Sequence, residues 1–121
     1  MFVKVDDKSK KTIMIVDDDA DIVDSVKTVL AREGYKILTA VNGDDALKKI
    51  KSGKKPDLIL MDIMMPGTPA TIIVPKFAPI KVAYLSVLRT SGSERNDYMR
   101  FSNVVDFIQK PFDVEGKGGG F

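Results

Sequence analysis

The sequence predicts an α/β fold built on one open parallel sheet. Three observations predict it. Short apolar runs rich in β-branched residues recur along the chain between turn signals, which suits strands buried on both faces. Patterns of helical period lie between these runs, so strands and helices alternate as in βαβ units. The length of 121 residues is that of one domain.

The elements follow in order. Residues 1–11 turn polar after the first few positions and read as an N-terminal arm. Residues 12–16 (TIMIV) form a continuous apolar run stopped by Asp17, the first strand. Residues 19–33 carry Ile22, Val23, Val26, Val29 and Leu30 on one stripe, and Gly34 ends that helix. Residues 35–40 are the second strand. Asn42-Gly43 marks a turn, and Asp44 is placed to cap a helix running to Ile50 or Lys51. Residues 57–61 (DLILM) are the third strand, ending at Asp62. Pro69, Pro75 and Pro79 crowd the next segment, so the third helix should be short, around residues 70–77. Residues 81–86 are the fourth strand, 91–101 a short helix and 104–108 the fifth strand. After Phe112 the sequence reads DVEGKGGGF, which cannot form a helix. The expected layout is therefore an arm over 1–11, one domain over 12–113, and a flexible tail or truncation remnant over 114–121. For five strands the common doubly wound order is the flavodoxin-like 2-1-3-4-5. That order comes from known folds of this architecture, not from the spacing.

Composition removes several chemistries. There are no cysteines and no histidines, which excludes disulfides, thiolate zinc sites, a cysteine nucleophile and a Ser-His-Asp triad. The acidic side is lopsided, with 14 Asp against 3 Glu, and Asp favours caps and sites over helix interiors. A net charge of +2 is too weak to argue for nucleic acid or a membrane surface. The densest basic run, Lys48 to Lys55, reads as a solvated helix end. With no long apolar stretch and no signal core, the expected location is the cytoplasm.

In open parallel sheets, ligands bind beyond the carboxyl ends of the strands. Strand one ends in Asp17-Asp18-Asp19, strand three in Asp62, strand four in Ser86, and strand five just before Lys110. Strand two ends in Ala40-Val41 and offers nothing. In the 2-1-3-4-5 order, strands one and three are neighbours, which gathers Asp17, Asp18 and Asp62. Three carboxylates so close call for a hard cation, and Mg²⁺ suits few protein ligands with several waters and a phosphate oxygen. A lysine and a hydroxyl nearby make a place for a phosphoryl group. A carboxylate in line with it can become an acyl phosphate.

The fragments IMIVDDDADI, DLILMDIMMPG, YLSV and DFIQKPF, in this order, resemble the receiver domain of two-component response regulators. The resemblance covers residues 12–113. It implies that Asp62 is the phospho-acceptor and that Asp17 and Asp18 hold Mg²⁺ together with the Met64 backbone carbonyl. It implies that the Ser86 hydroxyl and Lys110 meet phosphoryl oxygens, that Lys110-Pro111 is cis, and that Phe107 is the switch aromatic. It further implies a histidine kinase as phosphodonor, and a signalling domain that catalyses only its own phosphorylation and slow dephosphorylation. Output is then by protein contact, with no direct nucleic-acid or membrane binding.

Plainer readings stand beside these. The three aspartates could cap the first helix, with Asp19 the natural cap. Lys110 could be a surface lysine, Ser86 a bonded core hydroxyl and Phe107 core filling. The Met61, Met64 and Met65 cluster reads as packing. Met64 and Leu88 occupy the positions that tune hydrolysis in the family, and both are apolar, so a long-lived phosphorylated state is expected. Lack of a last helix would bare an apolar strip over strands one, three and five, to be covered by a rearranged arm or by a second copy in a homodimer. Two rival functions are an interaction module on this fold that needs no phosphorylation, and a small phosphatase using Asp17 and Asp19. The phosphatase would need a cap domain that this length does not hold.

Overall fold

The structure is a computed structural model that describes residues 11–63, 67–86 and 99–109, with residues 86, 107 and 109 described by backbone alone. The described elements run β1 (Thr12–Val16), α1 (Ala20–Arg32), β2 (Lys36–Ala40), α2 (Gly43–Lys51), β3 (Leu58–Asp62), α3 (Ala70–Phe77), β4 (Lys81–Ser86) and β5 (Val104–Gln109). The five strands form one sheet in the order β2-β1-β3-β4-β5, every neighbouring pair parallel. This is the doubly wound, flavodoxin-like order expected from the sequence.

Alternation along each strand divides the core in two. Met14 and Val16 of β1, Ile59 and Met61 of β3, and Val82 and Tyr84 of β4 face α2 and α3, packing with Ala46, Ile73, Val74 and Phe77. Ile13, Ile15, Leu60, Ala83 and Leu85 face the other way, in a cluster with Val26 of α1. Half-buried Ile22, Val23 and Leu30 complete the inward stripe of α1, whereas Val29, counted on that stripe from its spacing, lies at the rim with 38% of its surface exposed. Along the strip expected to be bare over strands one, three and five, Ile15 of β1 is fully buried and Leu60 of β3 is 7% exposed, while Leu58 of β3 and Ile108 of β5 are half-buried.

The short third helix falls where the prolines place it, with Pro75 inside its last turn. Asn42, not Asp44, caps α2: its side chain accepts from the Asp45 N–H at 2.7 Å. Asn103, nearly buried, donates through Nδ2 to the carbonyls of Val74 and Ile80 at 3.0 and 3.1 Å. It joins the end of α3 and the turn into β4 to the start of β5. The loop between α3 and β4 contains a cis Ala78-Pro79 bond. The helix expected over 91–101 lies, apart from 99–101, outside the described residues. So do the arm over 1–10 and everything after residue 109.

Candidate functional site: an acidic cluster at the carboxyl edge of the sheet

Strand register assembles the site. Val16 of β1 pairs with Met61 of β3, so the next residues, Asp17 and Asp62, arrive side by side. Asp17 N–H donates to the Ala40 carbonyl at 3.1 Å, which holds the end of β1 to β2 as well. Asp17 and Asp62 are buried, at 2% and 5% exposure. Asp18 is exposed. One carboxylate oxygen from each of the three lies within 4.8 Å of the others.

The third aspartate of the run does a different job. Asp19 is the N-cap of α1, its side chain accepting from the N–H groups of Asp21 and Ile22 at 3.0 and 3.3 Å. Its own N–H donates to Asp17 Oδ1 at 2.9 Å. This bond bends the chain so that Asp17 and Asp18 face the edge while Asp19 turns to the helix. The capping and clustering readings of the run are thus both realised, by different residues.

The donor set fits a hard divalent cation. All three side chains offer oxygen, two are sunk at strand ends and one opens to solvent, as a magnesium ion that keeps several waters requires. An open cleft of about 220 Å³ adjoins Asp17 and Asp18 on the β2 side. Val23 and Asp24 of α1 and Lys49 of α2 line it. Lys49 is anchored there, Nζ donating to the Thr39 carbonyl at 2.6 Å and pairing with Asp45 at 3.3 Å. No residue of this anchor was singled out from the sequence as part of the site's surroundings, because its partners meet only once β2 and α2 pack.

Ser86 is the last residue of β4 and pairs with Gln109 of β5, one position beyond the level of Asp62, which pairs with Leu85. The backbone therefore brings Ser86 to the same edge; its side chain is not described. Phe107 lies in β5 opposite Tyr84, again by backbone alone. Met64, Leu88, Lys110 and the Lys110-Pro111 bond lie outside the described residues. Met61 is core, 1% exposed, which agrees with reading it as packing.

A parallel sheet in this order with an acidic triad at its switch point defines a class, and the family comparison agrees with it. Residues 13–116 match the family model described as "Response regulator receiver domain". The chain belongs to that family, a phospho-accepting signalling domain of two-component systems rather than a classical enzyme.

Among particular relatives, it is 36% identical over 109 residues to the transcriptional regulatory protein ResD of Bacillus subtilis, covering 89% of this chain and 45% of that protein. It is 33% identical over 104 residues to the alkaline phosphatase synthesis transcriptional regulatory protein PhoP of the same organism, covering 84% and 43%. The chain thus spans less than half the length of these curated relatives. A solved structure of the response regulator TrrA from Thermotoga maritima, in complex with Mg²⁺ and BeF, is 34% identical with a TM-score of 0.70, covering 87% of this chain and 90% of that one. The N-terminal domain of a response regulator receiver protein from Methanoculleus marisnigri is 35% identical with a TM-score of 0.72, covering 88% and 89%. Among the described residues, no helix is long and apolar enough to cross a membrane.

Proposed function

We propose that Asp62 accepts a phosphoryl group from a histidine kinase and that the resulting acyl phosphate switches protein–protein contacts. The observation that carries this reading is the meeting of Asp62 with Asp17 and Asp18 at the carboxyl edge, two of the three buried. A carboxylate oxygen of Asp62 attacks phosphorus, the P–N bond to the donor imidazole breaks, and the imidazole leaves as the neutral base once protonated. Asp17, Asp18, Asp62 and the Met64 carbonyl would hold Mg²⁺. When bound, the ion supplies charge neutralisation for the transferring oxygens. The Ser86 hydroxyl donates to one phosphoryl oxygen and Lys110 pairs with another.

Movement of Ser86 toward the phosphoryl group frees space that Phe107 fills, which shifts the balance between two surfaces of β4 and β5. The working unit is residues 12–113, acting in the cytoplasm, with output through a protein partner or a second copy. Apolar Met64 and Leu88 leave no side chain there to orient an attacking water, so the phosphorylated state is long-lived.

The test is intact mass after incubation with a small acyl-phosphate donor, with and without Mg²⁺, beside Asp62→Asn. The expected result is a Mg²⁺-dependent gain of one phosphoryl group, absent in the variant and slowly lost. A folded chain that gains nothing sinks this reading and favours an interaction module that works without phosphorylation.

A further inference from the structure

We propose that the amino edge of the sheet, at the far end of the strands from the acidic cluster, is a docking surface for an extended acidic segment of a partner protein. The surface is separate from Asp62 and works without its phosphorylation.

Strand register gathers this edge as it gathers the acidic cluster. Taken in sheet order, every strand is entered past a cation. Lys36 is the first residue of β2, level with Thr12 of β1. Lys11 stands immediately before β1, and its carbonyl accepts from the Lys36 N–H at 2.9 Å. Lys54 and Lys55 lie in the loop before β3, and the Asp57 N–H ties that loop to the Thr12 carbonyl at 2.7 Å. Lys81 is the first residue of β4, level with Leu58 of β3. Arg100 lies in the turn into β5, its guanidinium carbon 4.9 Å from the centre of the Phe101 ring. All six side chains are exposed. In the sequence Lys54 and Lys55 only end a basic run; folding sets them in a row with cations from four other places in the chain.

Few acids answer this row. Asp57 sits within it, and one of its carboxylate oxygens accepts from the Thr12 N–H at 2.8 Å. Arg32 and Glu33 close α1 at the same end and offset one another. The excess of positive charge here is larger than the +2 of the whole chain, so the rest of the molecule is net negative. Charge is thus sorted to two poles, carboxylates at one edge of the sheet and cations at the other. Neighbouring strands are roughly 4.8 Å apart, well within the Debye length of about 8 Å at physiological salt, so the cations repel one another. An acidic partner relieves that repulsion.

Dimensions and surroundings select the partner. Four strand intervals make a row about 19 Å long. An extended segment rises roughly 3.3 Å per residue, so about six residues span it. Nucleic acid is a poorer fit. Among the described side chains no aromatic is exposed to stack on a base: Phe77 and Tyr84 are buried, and Tyr35 and Phe101 half-buried. Asp57 would also oppose a phosphate in the middle of the row, where a peptide can carry a neutral side chain. Strands β1 and β3 are five residues long, which separates the two edges by roughly 16 Å. A partner at the amino edge therefore leaves Asp62 open to its phosphodonor.

The experiment is fluorescence anisotropy of a labelled oligoglutamate of about eight residues, titrated with the full chain at low salt. Two double variants of equal net charge are compared with wild type: Lys55→Gln/Lys81→Gln on the edge, and Lys27→Gln/Lys48→Gln on the outer faces of α1 and α2. All four lysines are exposed, and circular dichroism checks each fold. The edge variant should bind about four- to nine-fold more weakly than wild type, each exposed charge pair being worth a factor of roughly two to three. The control variant should stay within about two-fold of wild type. If the edge double variant does not fold, Lys55→Gln and Lys81→Gln singly should each weaken binding about two- to three-fold. Equal weakening in the two double variants overturns the proposal, because net charge alone would then account for binding. So does an edge variant that binds like wild type, or a wild type that does not bind the peptide. Tighter binding to an oligothymidylate of matched length or to phosphatidylserine vesicles, lost in the edge variant, also overturns it and assigns the edge to nucleic acid or a lipid surface.

Discussion

Replacing Gly43 by alanine should destabilise the protein by about 1–2 kcal/mol, although alanine is the better helix former. The added Cβ would lie 2.9 Å from Ile73 Cγ2, 3.1 Å from Ile73 Cγ1 and 3.1 Å from Met61 Cε. Apolar carbons prefer roughly 3.5–4.0 Å, so each contact is too close by about half an ångström or more. Met61 Cε is the end of a flexible chain and can swing aside. Ile73 cannot: it is β-branched, in a helix, and 1% exposed. Either α2 or α3 must shift, and overpacking of this kind costs about 1–3 kcal/mol. Exchange of glycine for alanine returns up to about 1 kcal/mol in a helix interior, and less in the first turn where Gly43 lies. The balance is a loss. The assay is urea unfolding followed by circular dichroism, with the midpoint about 0.5–1.5 M lower and the slope unchanged. A midpoint equal to or above wild type would show that the α2–α3 approach is not what excludes a side chain at 43, and the packing argument would be wrong.

Two further outcomes are expected. Asn103→Ala should cost about 2–4 kcal/mol in the same urea assay, because it strips the donor from the Val74 and Ile80 carbonyls at a site 6% exposed; a loss below 1 kcal/mol would mean water replaces the amide at no cost. Asp44 and Asp45 are both held below the ordinary carboxylate value of 3.8, by the Thr68 hydrogen bonds and by the Val41 N–H respectively. A depressed folded value stabilises the native state above the unfolded value, and that stability drains away as pH falls through the folded one. The urea midpoint should therefore drop below about pH 4, and the Asp44→Asn/Asp45→Asn double variant should show a shallower drop over that window; parallel curves would refute the assignment.

The boundaries read from the sequence differ from the observed ones by a residue or so. Thr12–Val16, Ala70–Phe77 and Lys81–Ser86 match; β3 starts and ends one residue later than expected, and β5 runs one residue further. The miss at α2 has a physical cause. Asp44 is a good capping residue by type, but Thr68 claims both its oxygens, and Asn42 takes the cap instead. The sequence reading already makes Asp19 the helix cap and sets Asp17 and Asp18 at the acidic edge, and the structure has Asp19 as the cap and Asp17 and Asp18 in the cluster. The division follows from Asp19 N–H bonding to Asp17, which needs α1 to begin where it does.

By itself the sequence determined the alternation of elements, because period and turn chemistry act over a few neighbouring residues. It also placed carboxylates at the ends of strands one and three, which a known strand order turns into a site. Tertiary structure alone decided which distant groups meet. Asp44 reaches Thr68, Asn103 reaches Val74 and Ile80, and Lys49 reaches Thr39 beside the cleft. Each such bond joins residues on different elements. Its existence depends on how closely those elements pack, and packing distance is set by side-chain volume across the whole core rather than by any local pattern.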